Sequence, residues 1–180
     1  MTKAVLNLDT ALGTFQFVAE CDHQPDEVSL NLKVFEPRYS LPPGMSVLSC
    51  RAVFLRVTTR VEIGVLRWSC QSPMNVAGSP CTGECLDAQE WEAGGRLVVV
   101  GTEDAGALAS RLSFLQLDPQ SSVVPFTPQT LEMKIPRIPA FSTFGLHFVV
   151  AENTSPEPVD ASAWFVVDIP HKNLAASDAV

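Results

Sequence analysis

The residues able to do chemistry are few and scattered. Of three histidines, His23, His147 and His171, none forms a His-x-His pair that could hold a metal from one strand. His147 alternates with Leu146 and Phe148, which reads as a surface or interface histidine on a strand. Cys70, Cys81 and Cys85 lie in one stretch ending in Cys-x-x-x-Cys. Zinc held there would need a fourth ligand, and paired Cys-x-x-Cys knuckles are missing, so the reading is small reduced thiols. Gly101-Thr-Glu-Asp-Ala-Gly106 follows an apolar run as a phosphate loop would, but it lacks the Lys-Ser/Thr ending. Glu103 and Asp104 would also repel a phosphate. Asp26-Glu27 and the Glu90/Glu92 pair read as solvated loop charges rather than an acid/base couple, and no Gly-x-Ser-x-Gly elbow occurs. The expectation is no catalytic residue, no metal, no cofactor and no enzyme.

One charge pattern stands out. Arg51, Arg56, Arg60 and Arg67 fall close together in a chain of 20 acidic and 12 basic residues with net charge -8. On two paired strands they would form a basic strip and the candidate nucleic-acid contacts; the other reading pairs them with acidic neighbours. Residues 1–27 hold one Lys against five acidic residues, which excludes a basic arm that gathers RNA.

The elements that must position these residues are mostly strands. Val28, Leu30, Leu32 and Val34 alternate with polar residues, as a half-buried strand does, and residues 13–20 do so more briefly. Val53, Leu55 and Val57, then Val61, Ile63 and Val65, are expected to pair as a hairpin. Residues 96–101 form a short apolar strand behind Gly94-Gly95, and Thr130–Ile135 is the one strand expected in a stretch with prolines at 119, 125, 128, 136 and 139. Leu146, Phe148 and Val150, then Ala163, Phe165, Val167 and Ile169, read as two neighbouring final strands. Thr102-Glu103-Asp104 predicts a capped short helix through Leu112, and the prolines of residues 36–45 predict a loop. The expected fold is all-β: an eight-stranded antiparallel jelly-roll β-sandwich with one or two short helices in connections. Residues 1–12 are expected to be an N-terminal arm, 13–171 the shell domain and 172–180 a C-terminal tail.

Composition narrows the class further. Apolar residues make up 46% of the chain and charged ones only 18%, below the roughly 25% common in soluble domains. Surface that would otherwise be charged is expected to be covered by other subunits, with Trp68, Trp91 and Trp164 as candidate interface residues. No apolar run is long enough for a membrane helix, the first residues do not read as a secretory signal, and five unevenly spaced cysteines suit a reducing compartment.

In order along the chain, Phe15-Gln-Phe-Val-Ala-Glu, residues 26–34, Ser49-Cys-Arg-Ala-Val-Phe-Leu-Arg-Val57, Glu62-Ile-Gly-Val-Leu-Arg-Trp68 running into Gln71-Ser-Pro-Met-Asn75, Gly94-Gly-Arg-Leu-Val-Val-Val-Gly101 and Thr130-Leu-Glu-Met-Lys-Ile-Pro-Arg137 have a recognisable rhythm. It resembles that of the coat proteins of small icosahedral plant RNA viruses, tymoviruses above all, over residues 13–171. The stretches from Cys70 to Trp91 and from Leu112 to Pro128 depart from the resemblance. It implies a structural coat (capsid) protein that self-assembles around genomic RNA. The implied partners are many copies of itself or related coat chains, RNA held weakly with polyamine counterions, and no membrane. The implied location is the virion, with synthesis in the host cytoplasm. The alternative is an intracellular acidic protein-binding module, such as a toxin-neutralising immunity protein. A thiol or metal enzyme using Cys70, Cys81 or Cys85 is a third reading.

Overall fold

Alternating and continuous apolar runs become strands throughout the structure, a computed structural model that describes residues 1–73, 75–82, 86–119 and 126–178. In chain order the strands are β1 (Thr2–Thr10), β2 (Gly13–Cys21), β3 (Val28–Phe35), β4 (Ser49–Thr59), β5 (Ile63–Gln71), β6 (Gly78–Thr82), β7 (Leu86–Ala93), β8 (Arg96–Glu103), β9 (Phe126–Thr127), β10 (Thr130–Ile138) and β11 (Thr143–Thr154). Among the described residues three short α-helices accompany them: α1 (Ala105–Arg111) after β8, and α2 (Ser162–Val167) and α3 (His171–Asp178) after β11. One sheet has the order β1-β2-β5-β10-β9 and the other β3-β4-β11-β8-β7-β6, and the paired strands are antiparallel. The result is an all-β sandwich of five and six strands, which is as far as the expected eight-stranded jelly roll is met.

Rings packed between the sheets hold them together. Trp68 of β5 lies 5.0 Å from Phe148 of β11, centroid to centroid, and Phe17 of β2 lies 6.0 and 5.8 Å from the two. Phe15 meets Trp91 edge-on at 5.2 Å. All five side chains are fully buried, and such pairs add roughly 0.5–1.5 kcal/mol each beyond the area they bury. A second apolar cluster lies on the outer side of the six-stranded sheet: Ala52, Ala88, Val99, Val149 and Ala151 beneath Ala163, Val166, Val167 and Leu174 of α2 and α3. Gly101 makes this contact close. A Cβ there would stand 2.9 Å from Val167 and from Leu86.

Several expectations are corrected. Residues 162–169 begin as α2 rather than forming a strand, because Ala163, Val166 and Val167 present one buried helical face while Phe165 points out. β4 and β5 do not form a hairpin; residues 60–62 cross between the sheets, so β4 pairs with β3 and β11, and β5 with β2 and β10. Thr2–Thr10, within the stretch expected as an arm, is β1, and all nine of its residues pair with β2. Residues 172–178, within the stretch expected as a tail, continue α3, whose Leu174 is fully buried. The helix expected after Gly101 is α1. Asp104 rather than Thr102 caps it, its carboxylate accepting from the Ala107 N–H at 2.7 Å. Among the described residues no helix is long and apolar enough to cross a membrane.

Candidate functional site

The four arginines do not share a strip. Arg51 and Arg56 lie on opposite faces of β4, Arg60 just beyond its end, and Arg67 on β5 in the other sheet. Arg51 is tied to the Glu152 carboxylate and donates to the Asp9 carbonyl at 2.8 Å. Glu152 also accepts from Ser49 and from the Ala11 N–H, so this ion pair fastens the β1–β2 turn to the six-stranded sheet. Arg67 donates to Glu132 at 3.1 Å. Arg56 and Arg60 are exposed.

The tryptophans separate likewise. Trp68 and Trp91 are fully buried in the sandwich and have no surface to offer a second subunit. Trp164 is half-buried and lines a groove of about 490 Å³ with Glu90, Glu92, Glu157 and Asp160. Cys70 and Cys81 stand in different sheets, and Cys85 lies outside the described residues. Burial pushes the Cys70 thiol well up, and burial with Glu90 raises Cys81 to about 11, the wrong direction for a nucleophile or a thiolate ligand.

The cluster with the most chemistry was invisible in the spacing of its residues. β11 pairs with β8 in a register that matches Val149 with Gly101, and continuing it two residues sets His147 opposite Glu103. The Thr102 hydroxyl donates to the His147 carbonyl at 2.7 Å and holds the strands together there. α1 then carries Arg111 back over Glu103, donating from Nε to Oε1 at 2.7 Å and from Nη2 to Oε2 at 2.5 Å. The apolar contacts of Val167, Ile169 and Leu174 seat α2 and α3 on the sheet and bring His171, the first residue of α3, onto His147. The two Nδ1 atoms are 3.0 Å apart. The Phe54 ring stacks on His171 at 5.3 Å, and Gly145 leaves it room: a Cβ there would overlap Phe54 and stand 3.3 Å from His171. The cleft around the cluster measures about 260 Å³ and is lined also by Leu86, Ala107, Val167, Asp168 and Pro170.

His147 is therefore not a surface histidine; it is 2% exposed because α3 covers this side of the sheet. Burial first, then His171 and Arg111, holds its pKa well below the ordinary imidazole value. Burial and Arg111 bring His171 down to about 4. Both rings are neutral at pH 7, and one Nδ1–H donates to the other Nδ1. The nearest Glu103 oxygen is 3.8 Å from the His147 Nδ1, too far for a direct hydrogen bond. Among the described residues, Glu103, His147 and His171 are the one group of three whose ligand atoms, all within 4.8 Å of one another, could share an ion.

Comparison of the chain with family models, with curated proteins and with solved structures found no match.

Proposed function

We propose that this chain is a structural, non-enzymatic protein that works by assembling with copies of itself, as the shell subunit of a viral coat does. The observation that carries the reading is the outer face of the five-stranded sheet. Lys3, Val5, Asn7, Thr14, Val65, Arg67 and Lys134 are exposed across it. Its charges neutralise one another across neighbouring strands, Lys3 lying 3.9 Å from Glu20 and Arg67 3.1 Å from Glu132, and along β10, where Lys134 lies 3.7 Å from the same Glu132. A face with internally paired charge and exposed valines loses little hydration when a second copy covers it. Of the four candidate arginines, Arg56 and Arg60 are the exposed ones not tied to Glu152 or Glu132, so in a coat they are left to meet RNA, and a contact this small leans on polyamine counterions.

Light scattering with negative-stain microscopy of the purified chain, across pH and salt, tests the proposal. Closed particles of many subunits support a coat; a monomer under every condition overturns self-assembly. A second reading, an acidic module that binds a basic protein, is favoured by the groove of Glu90, Glu92, Glu157 and Asp160 around Trp164, where a Lys or Arg side chain would meet both carboxylates and an aromatic face. It predicts a monomer that captures an Arg-rich peptide and loses it on Glu90→Gln with Glu92→Gln.

A further inference from the structure

We propose that Glu103, His147 and His171 bind one divalent first-row transition ion, for which Zn²⁺ is the natural probe, and that the ion fastens α3 to the six-stranded sheet. Two imidazole nitrogens and a carboxylate oxygen are a ligand set that such ions take, with open positions left for water. The geometry is close to what binding needs. Metal–nitrogen bonds of about 2.0–2.1 Å at a tetrahedral centre set the two nitrogens roughly 3.3 Å apart. The Nδ1 atoms are 3.0 Å apart, the carboxylate oxygen is 3.8 Å from the first of them, and all three ligand atoms lie within 4.8 Å of one another, so side-chain shifts of no more than about 1.5 Å seat the ion between them.

The surroundings supply the rest. Ligation needs a lone pair on both Nδ1 atoms, so the proton held between the rings moves to the Nε2 of its own ring as the ion enters. Arg111 occupies both oxygens of Glu103, but a carboxylate offers about four acceptor positions, so Arg111 orients it and leaves one lone pair free to face the ion. The Arg111 guanidinium opposes a dication here, and Asp168, which lines the same cleft, brings a negative charge that offsets it. The alternative occupant is a proton: the bare Nδ1–H···Nδ1 bond between the rings.

The ligands come from β8, β11 and α3, elements far apart in the chain, so an ion joining them stabilises the folded state by an amount that grows with the logarithm of free ion above the Kd. Helices α2 and α3 otherwise rest on the sheet by apolar contact. The ion would make the C-terminal cover of that sheet depend on metal supply.

The test titrates Zn²⁺, and Co²⁺ for its visible absorption, into the full chain after chelator treatment, alongside His171→Gln, Glu103→Gln and Cys81→Ser. The expected result is one equivalent bound, a tetrahedral-type Co²⁺ spectrum, a rise in Tm, and slower amide exchange in α3. His171→Gln and Glu103→Gln should each weaken binding by more than about tenfold, since even the loss of an outer-shell partner has that effect. Cys81→Ser should leave binding unchanged. His171 is only partly buried, so its variant keeps the fold, and circular dichroism checks this. No stoichiometric binding by the wild type, or binding that survives both ligand variants, would overturn the site.

Discussion

The two outer faces of the sandwich are built on opposite plans. The six-stranded sheet is apolar on both sides: in β4, Val53, Leu55 and Val57 face the core while Cys50 and Ala52 face outward, and β11 does the same with Phe148 and Val150 against Val149 and Ala151. Such a sheet must be covered, and α2 and α3 cover it. The five-stranded sheet alternates, its outward residues are mostly polar with a few valines among them, and no helix among the described residues covers it. Each plan suits a different kind of function. Covered surface shelters a neutral histidine pair that water would otherwise solvate, whereas open surface is where another protein chain can sit.

Five substitutions test this contrast, in descending order of effect apart from Asn7→Val, which is the control for Gly101→Val. Trp68 packs between the sheets beneath both faces, so Trp68→Ala is expected to cost about 3–5 kcal/mol in urea unfolding. Gly101→Val drives a side chain into Val167 and should cost about 1–3 kcal/mol, while Asn7→Val on the open face should stay within about 0.5 kcal/mol. If the two cost the same, α2 does not press on β8 as described. Asp87 on β7 is held up at about 6 by burial and then by Asp104. A carboxyl whose pKa is raised on folding contributes stability that is complete below its unfolded value of 3.8 and is lost as the pH rises through 6. Asp87→Asn should therefore gain about 1 kcal/mol at pH 7 after solvent screening and nothing at pH 3, read from Tm at the two pH values. The smallest effect on stability belongs to Val65→Lys, about 0.5 kcal/mol or less. That variant should nonetheless dissolve any self-association seen by light scattering, and assembly that survives it places the interface elsewhere.

Much of the strand content was legible because period two is a local property. Val28 to Val34 and Thr130 onward alternate, and residues 96–101 form an apolar run; all became strands. Partners were not legible, because alternation names the face a residue takes and never the neighbouring strand, which is how β4 and β5 were expected to pair. At residues 162–169 two periods compete: Ala163, Phe165, Val167 and Ile169 fit a strand, while Ala163, Val166 and Val167 fit a helix, and the need to cover the sheet decides for the helix. The histidine cluster left one readable trace. His147 sits inside Leu146–Ala151, a run apolar at both odd and even positions, and a strand buried on both sides buries whatever histidine it carries. Nothing local connects it to Glu103 or His171, whose approach is created by the β8–β11 register and the seating of α3.

The place of β11 in its sheet also sets an order of events. It lies between β4 and β8, pairing with residues 49–58 on one side and 96–101 on the other, yet it is made after both. Until Thr143–Thr154 leaves the ribosome, two apolar strands wait with their pairing edges open, a condition that invites aggregation. The β1–β2 hairpin forms from adjacent residues at once, but the six-stranded sheet closes only when most of the chain has been synthesised, so the nascent protein spends its longest vulnerable interval with its most apolar sheet unfinished.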